Sequence, residues 1–165
     1  GLTAFVANFL NISEVYGVDI DDERLKVAAK RGIKVYKVDL NTASLPFPGN
    51  YFDIVITFGV LEHLVWYDNV FTEVRRVLRP YGCFVISMPN LGSWINRVAL
   101  LLGYQPRDVE ISRKFSPGIL PFYGGGGIGH IHSATLRAVK DLLQLYGFDI
   151  VMVKSLPPVN WEYYC

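Results

Sequence analysis

Cysteine is scarce in this 165-residue chain: Cys83 and Cys165 are too few and too widely spaced for a disulfide framework or a zinc box. An excess of one charge is also lacking. Lys and Arg number 16 against 15 Asp and Glu, a net charge of +1, so no nucleic-acid or anionic-membrane partner is advertised. Long apolar runs are missing too. The stretch at residues 98–102 falls far short of the roughly 20 residues that span a bilayer. No secretory leader is visible, and the two thiols imply a reducing, cytoplasmic setting. No obvious catalytic nucleophile, triad or metal box stands out.

What is present suits a single globular domain over 1–165. The composition is 51% hydrophobic and 19% charged, and the length supports one sizeable core. Residues 2–10 predict a short apolar helix, and residues 15–20 a brief strand. Asp21, Asp22 and Glu23 then open a helix that ends in Lys30, Arg31 and Gly32, with acids first and bases last. Residues 33–38 predict a second strand, and residues 54–58 a third, apolar almost throughout as in sheets covered on both faces. A helix from about Asp68 places Val70, Phe71, Val74, Val77 and Leu78 on one face, and Pro80-Tyr-Gly82 is expected to end it. Strands are expected at 83–88 and 148–153, with helices at 94–102 and from about Thr135. Strands alternating with helices imply βαβ units and a parallel sheet. Residues 90–132 break that rhythm and predict an inserted lid, with a hinge at Gly124 to Gly127.

In open α/β sheets, ligands bind at the carboxyl ends of the strands. Asp19 ends the first visible strand, where a carboxylate can accept both hydroxyls of a ribose. It suits a helix N-cap equally. Asp39 ends the next strand and is either a second ligand on the same rim or a turn-forming Asp before Asn41. Each is followed by an aliphatic, Ile20 or Leu40, that can lie against a flat ring. The pair points to an adenosine.

The successive segments Val15-Tyr-Gly-Val-Asp-Ile-Asp, Val38-Asp-Leu, Leu45-Pro-Phe, Tyr51-Phe-Asp-Ile-Val-Ile-Thr, Val60-Leu-Glu-His-Leu64, Glu73-Val-Arg-Arg-Val-Leu-Arg-Pro-Tyr-Gly82 and Ile86-Ser-Met-Pro-Asn90 resemble the motifs of class I S-adenosylmethionine-dependent methyltransferases. Gly129-His-Ile-His132, before a helix ending Tyr146-Gly-Phe148, is similar to their small-molecule branch. The resemblance implies a Rossmann-like, mostly parallel sheet with flanking helices, from which the family's first strand and its last antiparallel strand are missing. It implies S-adenosylmethionine as cofactor, with Asp19 on the ribose hydroxyls, Ile20 on the adenine, Asp39 on the adenine amino group and Leu40 against the ring. Phe58 and Gly59 would lie beside the methionine part, and Gly1 matches the last glycine of the glycine-rich first loop.

The implied activity is methyl transfer to a small-molecule acceptor, with His130 as general base or acceptor-orienting group and His63 at the acceptor mouth. A packing or helix-capping role suits His63 as well, and a hydrogen bond to the lid's backbone suits His130. Glu62 reads as a base or, more ordinarily, as a solvated glutamate. His130 and His132 would share a face on an extended segment, but no third ligand clusters with them, so no metal site is expected. The apolar helix at 94–102 suits a substrate lid or a homodimer contact better than a membrane-surface patch. Two rival functions stay open: a methyltransferase-like domain that binds without catalysis, and a nicotinamide-dependent oxidoreductase, whose ribose Asp19 also suits.

Overall fold

The structure is a computed structural model and describes residues 2–112, 114–121 and 129–155. In chain order the elements are α1 (Leu2–Phe9), β1 (Tyr16–Asp19), α2 (Asp22–Ala29), β2 (Lys34–Lys37), β3 (Phe52–Phe58), a 3-10 turn (Leu61–His63), α3 (Asp68–Val77), β4 (Leu78–Ser87), α4 (Trp94–Leu101) and α5 (Leu136–Leu145). The expected α/β alternation is therefore present. Gly1, Phe122, Tyr123, the expected hinge at Gly124 to Gly127 and the tail from residue 156 lie outside the described residues.

Among the described residues all strand pairing is parallel, in two sheets of two strands, β1–β2 and β3–β4, as suits a parallel sheet expected to lack the family's first strand. No strand lies between β1 and β3 among the described residues, so side chains join the two sheets instead of backbone bonds. Phe47 does most of this. Its ring meets Tyr16 of β1 at 5.4 Å, Tyr36 of β2 at 5.1 Å and Phe52 of β3 at 4.8 Å, each edge to face. Such pairs add about 0.5–1.5 kcal/mol each beyond the area they bury.

Two expectations are corrected. Residues 148–153 make no strand, because no neighbouring backbone pairs with them, and Val151 and Met152 are exposed. Phe148 packs onto Phe84 and Phe71, and Ile150 is half-buried. The turn Pro80-Tyr-Gly82 does not separate α3 from its strand. β4 already begins at Leu78, opposite Phe52, and its next partner pair is Ile54 with Cys83. The intervening residues bulge out of the ladder, with Tyr81 at φ 64°. Gly82 is required there, since a Cβ would stand 2.9 Å from the Arg79 carbonyl oxygen.

The main core lies between α3 and the β3–β4 sheet. Val70, Phe71, Val74 and Val77 recur at helical spacing on α3 and are buried with Leu61, Leu64 and Leu78. Phe71 is 0% exposed, and its ring is surrounded by Phe84 at 6.0 Å, Tyr146 at 5.6 Å and Phe148 at 6.5 Å. The opposite end of α3 holds a charged clamp. Glu73 accepts from the Leu45 N–H at 2.6 Å and from Arg76 at 2.7 Å and 2.9 Å. Arg76 in turn donates to the Phe47 and Leu45 carbonyls at 2.7 Å and 2.9 Å. The Arg76 hydrogen bond, assisted by the Leu45 N–H, holds the Glu73 carboxyl below its ordinary range against the effect of burial.

Two outcomes follow from these contacts. Replacing Phe71 by Ala leaves a cavity among four elements and should cost about 3–5 kcal/mol in urea unfolding. Leu at the same position should recover part of that. For Glu73, a depressed folded-state pKa gives stability that is complete above the unfolded value and lost as pH falls through the folded one. Glu73→Gln should therefore lower stability at neutral pH by about 1–3 kcal/mol, discounted for the half-open Arg76. Between roughly pH 5 and 3 its stability should fall less steeply than that of the parent chain. Parallel pH titrations of the two proteins check this.

Candidate functional site

Asp19 and Ile20 stand at the carboxyl end of β1, and Asp39 and Leu40 just beyond that of β2. Asp19 closes β1 opposite Lys37, the last residue of β2, and its carbonyl accepts the Val38 N–H at 3.0 Å. The helix cap, which Asp19 was equally suited to provide, is supplied by Asp21. The Asp21 carboxylate accepts the Glu23 and Arg24 N–H groups at the start of α2. Asp19 does not cap the helix; its Oδ1 accepts the Asp21 N–H at 3.0 Å. Ile20 beside it is 59% exposed, an apolar surface without cover.

Asp39 stands two residues beyond β2, so it is offset from Asp19 along the rim and not directly opposite it. Its Oδ1 accepts both the backbone and the side-chain N–H of Asn41, at 2.9 Å and 3.0 Å. It is thus a turn-forming Asp as well. Those two bonds hold its carboxyl below the ordinary range, so it stays an acceptor through the neutral and mildly acidic range. Leu40 is half-buried against the core around Leu61 and Phe71 and offers only part of its surface to the rim.

A second group lies at the carboxyl end of β3. Phe58 pairs with Ser87, and the Gly59 N–H donates to the Ser87 carbonyl at 3.1 Å. Gly59 has φ 64°, and a Cβ there would come within 3.7 Å of the Glu62 Oε1. The 3-10 turn that follows sets Glu62 and His63 side by side. The Glu62 backbone carbonyl accepts the N–H groups of Ile131 and His132 at 2.8 Å and 3.2 Å, which brings His130 over the turn. His130 Nε2 then lies 3.9 Å from Glu62 Oε1, and the His63 and His130 rings are 5.0 Å apart. His63 Nδ1 bonds the Gly129 carbonyl at 3.0 Å.

Glu62 corrects the ordinary reading of a solvated glutamate. It is 3% exposed, and His130 is 8% exposed. Glu62 Oε2, His130 Nδ1 and the Tyr67 hydroxyl are buried without a hydrogen-bond partner. Burial, and secondarily the Glu62 charge, raises the Tyr67 pKa above its ordinary value. Unpaired buried polar atoms cost about 1–3 kcal/mol each, so their presence on Glu62 and His130, which lie side by side, calls for an explanation. His132 does not join them. Its ring lies against Trp66 and Tyr67 instead, at 6.1 Å and 6.4 Å. The cluster of Glu62, His63 and His130 was not legible beforehand, because Glu62 and His130 are separated by most of the inserted segment.

That segment, residues 90–132, is stitched at its base. Asn90 and Ala134 form a parallel bridge, the Leu91 N–H donates to the Ala134 carbonyl, and Asn90 Oδ1 accepts the N–H of Leu136 at the start of α5. Within it α4 buries Asn96 and Ala99, while Trp94, Leu100 and Leu101 are exposed.

Comparison with known proteins places the family and the fold. Residues 1–86, just over half of the 165, match the family described as methyltransferase domain. The chain is 38% identical over 136 residues to the "Probable S-adenosylmethionine-dependent methyltransferase" of Mycolicibacterium smegmatis, covering 82% of this chain and 44% of that protein. It is 28% identical over 130 residues to the mitochondrial arginine-hydroxylase NDUFAF5 of Rattus norvegicus, covering 77% of this chain and 37% of that one. It therefore spans less than half the length of these curated relatives. A solved S-adenosylmethionine-dependent methyltransferase of Thermotoga maritima superposes with a TM-score of 0.61 at 18% identity, over 90% of this chain and 60% of that chain, a likeness of fold. The chain belongs to the methyltransferase domain family of the class I S-adenosylmethionine-dependent superfamily.

Proposed function

We propose that the protein transfers a methyl group from S-adenosylmethionine to a small-molecule acceptor. The observation that carries this is the group of buried Glu62 and His130 with the partly exposed His63, which lies against Gly59 at the carboxyl end of β3. When bound, S-adenosylmethionine supplies a methyl group already activated on a sulfonium, so the protein's work is alignment and proton handling.

In this reading Asp19 accepts the ribose hydroxyls, Ile20 covers one adenine face, and Asp39 accepts the adenine amino group beside Leu40. Phe58, Gly59 and, outside the described residues, Gly1 line the methionine end. The positive φ of Gly59 lets backbone approach there without a side chain in the way. His130 takes the acceptor's proton or orients the acceptor, and His63 stands at the mouth. Residues 90–132 close over the acceptor as a lid within one domain, and the exposed apolar side of α4 serves that lid or a homodimer contact. No helix among the described residues is long and apolar enough to cross a membrane. Two thiols without a disulfide framework support a cytoplasmic setting.

Two measurements on the full-length protein test the reading. Asp19→Ala should weaken S-adenosylmethionine binding in calorimetry by about 1.5–3 kcal/mol, the scale of hydrogen bonds to a charged group. Unchanged affinity would remove the ribose assignment. Once an acceptor is found, His130→Ala should lower kcat by about 10²–10⁴-fold while cofactor affinity is kept. Full turnover by that variant would end its catalytic role, and a binding-only domain would show no turnover in either protein.

A further inference from the structure

We propose that Glu62, His63 and His130 form a binding site for one divalent transition-metal ion, zinc first among them. Each offers a ligand atom, and the three atoms lie within 4.8 Å of one another. In what such an ion does for the acceptor, the proposal rests on the methyl-transfer reading; its binding does not.

The geometry of the pair is wrong for a simple ion pair. At 3.9 Å, Glu62 and His130 are too far apart to hydrogen-bond, whereas a charge-assisted bond would close to about 2.7–2.9 Å. Both side chains are more than nine-tenths buried, and each keeps an unpartnered atom, Oε2 and Nδ1. Burying a carboxylate beside an imidazole with neither satisfied is costly unless a cation sits among them.

His63 is preset for the same task. A carbonyl only accepts, so the bond to Gly129 places the proton on Nδ1 and leaves Nε2 with a bare lone pair. An outer hydrogen bond of this kind is how metal-bound histidines are commonly oriented. Ligand atoms around zinc lie roughly 3.3 Å apart, as bond lengths of about 2.0–2.1 Å dictate. Binding therefore draws the cluster in by about an ångström, a shift open to the partly exposed His63 ring. Two imidazoles and one carboxylate suit zinc, cobalt, iron(II) or manganese better than calcium or magnesium, and they leave positions open for a ligand. An acceptor hydroxyl held there has its pKa lowered and gives its proton to solvent. His130 then serves by holding the ion, the orienting form of its role.

The test uses chelator-treated full-length protein titrated with Co²⁺ alone, read by visible absorption, and with Zn²⁺ by calorimetry. One ion per chain is expected. His63→Ala, Glu62→Gln and His130→Ala should each weaken it by about tenfold or more, and His132→Ala and Cys83→Ser should not. His63 lies on the solvent side, so its variant keeps the test valid if a buried variant melts early. No cobalt spectrum, or equal affinity in His63→Ala, overturns the site. S-adenosylmethionine binding in the same samples separates the two ideas. Cofactor bound without cobalt overturns only the metal site, whereas cobalt bound without cofactor leaves the site standing and removes the methyl-transfer reading.

Discussion

The clamp between Glu73 and Arg76 holds together what backbone bonding does not. The two small sheets share no ladder, and their junction is the ring of Phe47, which touches β1, β2 and β3 at once. Phe47 can stay there because Arg76 grips its carbonyl and that of Leu45, while Glu73 takes the Leu45 N–H. The clamp is seated on α3, and α3 is fixed in turn by the burial of Phe71 among rings from β4, α5 and the segment after it. A charged pair at a surface contributes little. This one matters because its carboxylate is nearly buried and its bonds go to a backbone loop that carries the aromatic junction.

The cluster beside β3 depends on a different set of hydrogen bonds. The Glu62 carbonyl sits at the end of a three-residue turn, where no helix continues to satisfy it, and it is bonded by the N–H groups of Ile131 and His132. Those two bonds, with the bridge of Asn90 to Ala134, bring both stems of the inserted segment down beside β3. His130 is placed by them, and the cluster with Glu62 and His63 follows. Gly59 lies against this cluster, and its missing Cβ leaves space beside the Glu62 carboxylate.

Local pattern was a good guide where elements depend on neighbours in sequence. Acids opening α2, apolar residues at helical spacing on α3 and α5, and Asp19 at a strand end all stand where periodicity and capping chemistry put them. It was a poor guide where pairing depends on a distant partner. Residues 148–153 have strand composition and no strand beside them. The Pro80 turn became a bulge because Leu78 had already found Phe52.

By itself, then, the sequence determined the α/β alternation and the family, and it set Asp19 at the end of a strand, since each is written in residues close together along the chain. Only the tertiary structure decided that Asp21, not Asp19, caps α2, and that His130 faces Glu62 and His63 while His132 turns to Trp66 and Tyr67. The reason is physical. A cap competes only with its neighbours, and a two-residue histidine spacing says nothing of which way a stem will dock. The docking was settled by one buried carbonyl that needed donors from across the fold.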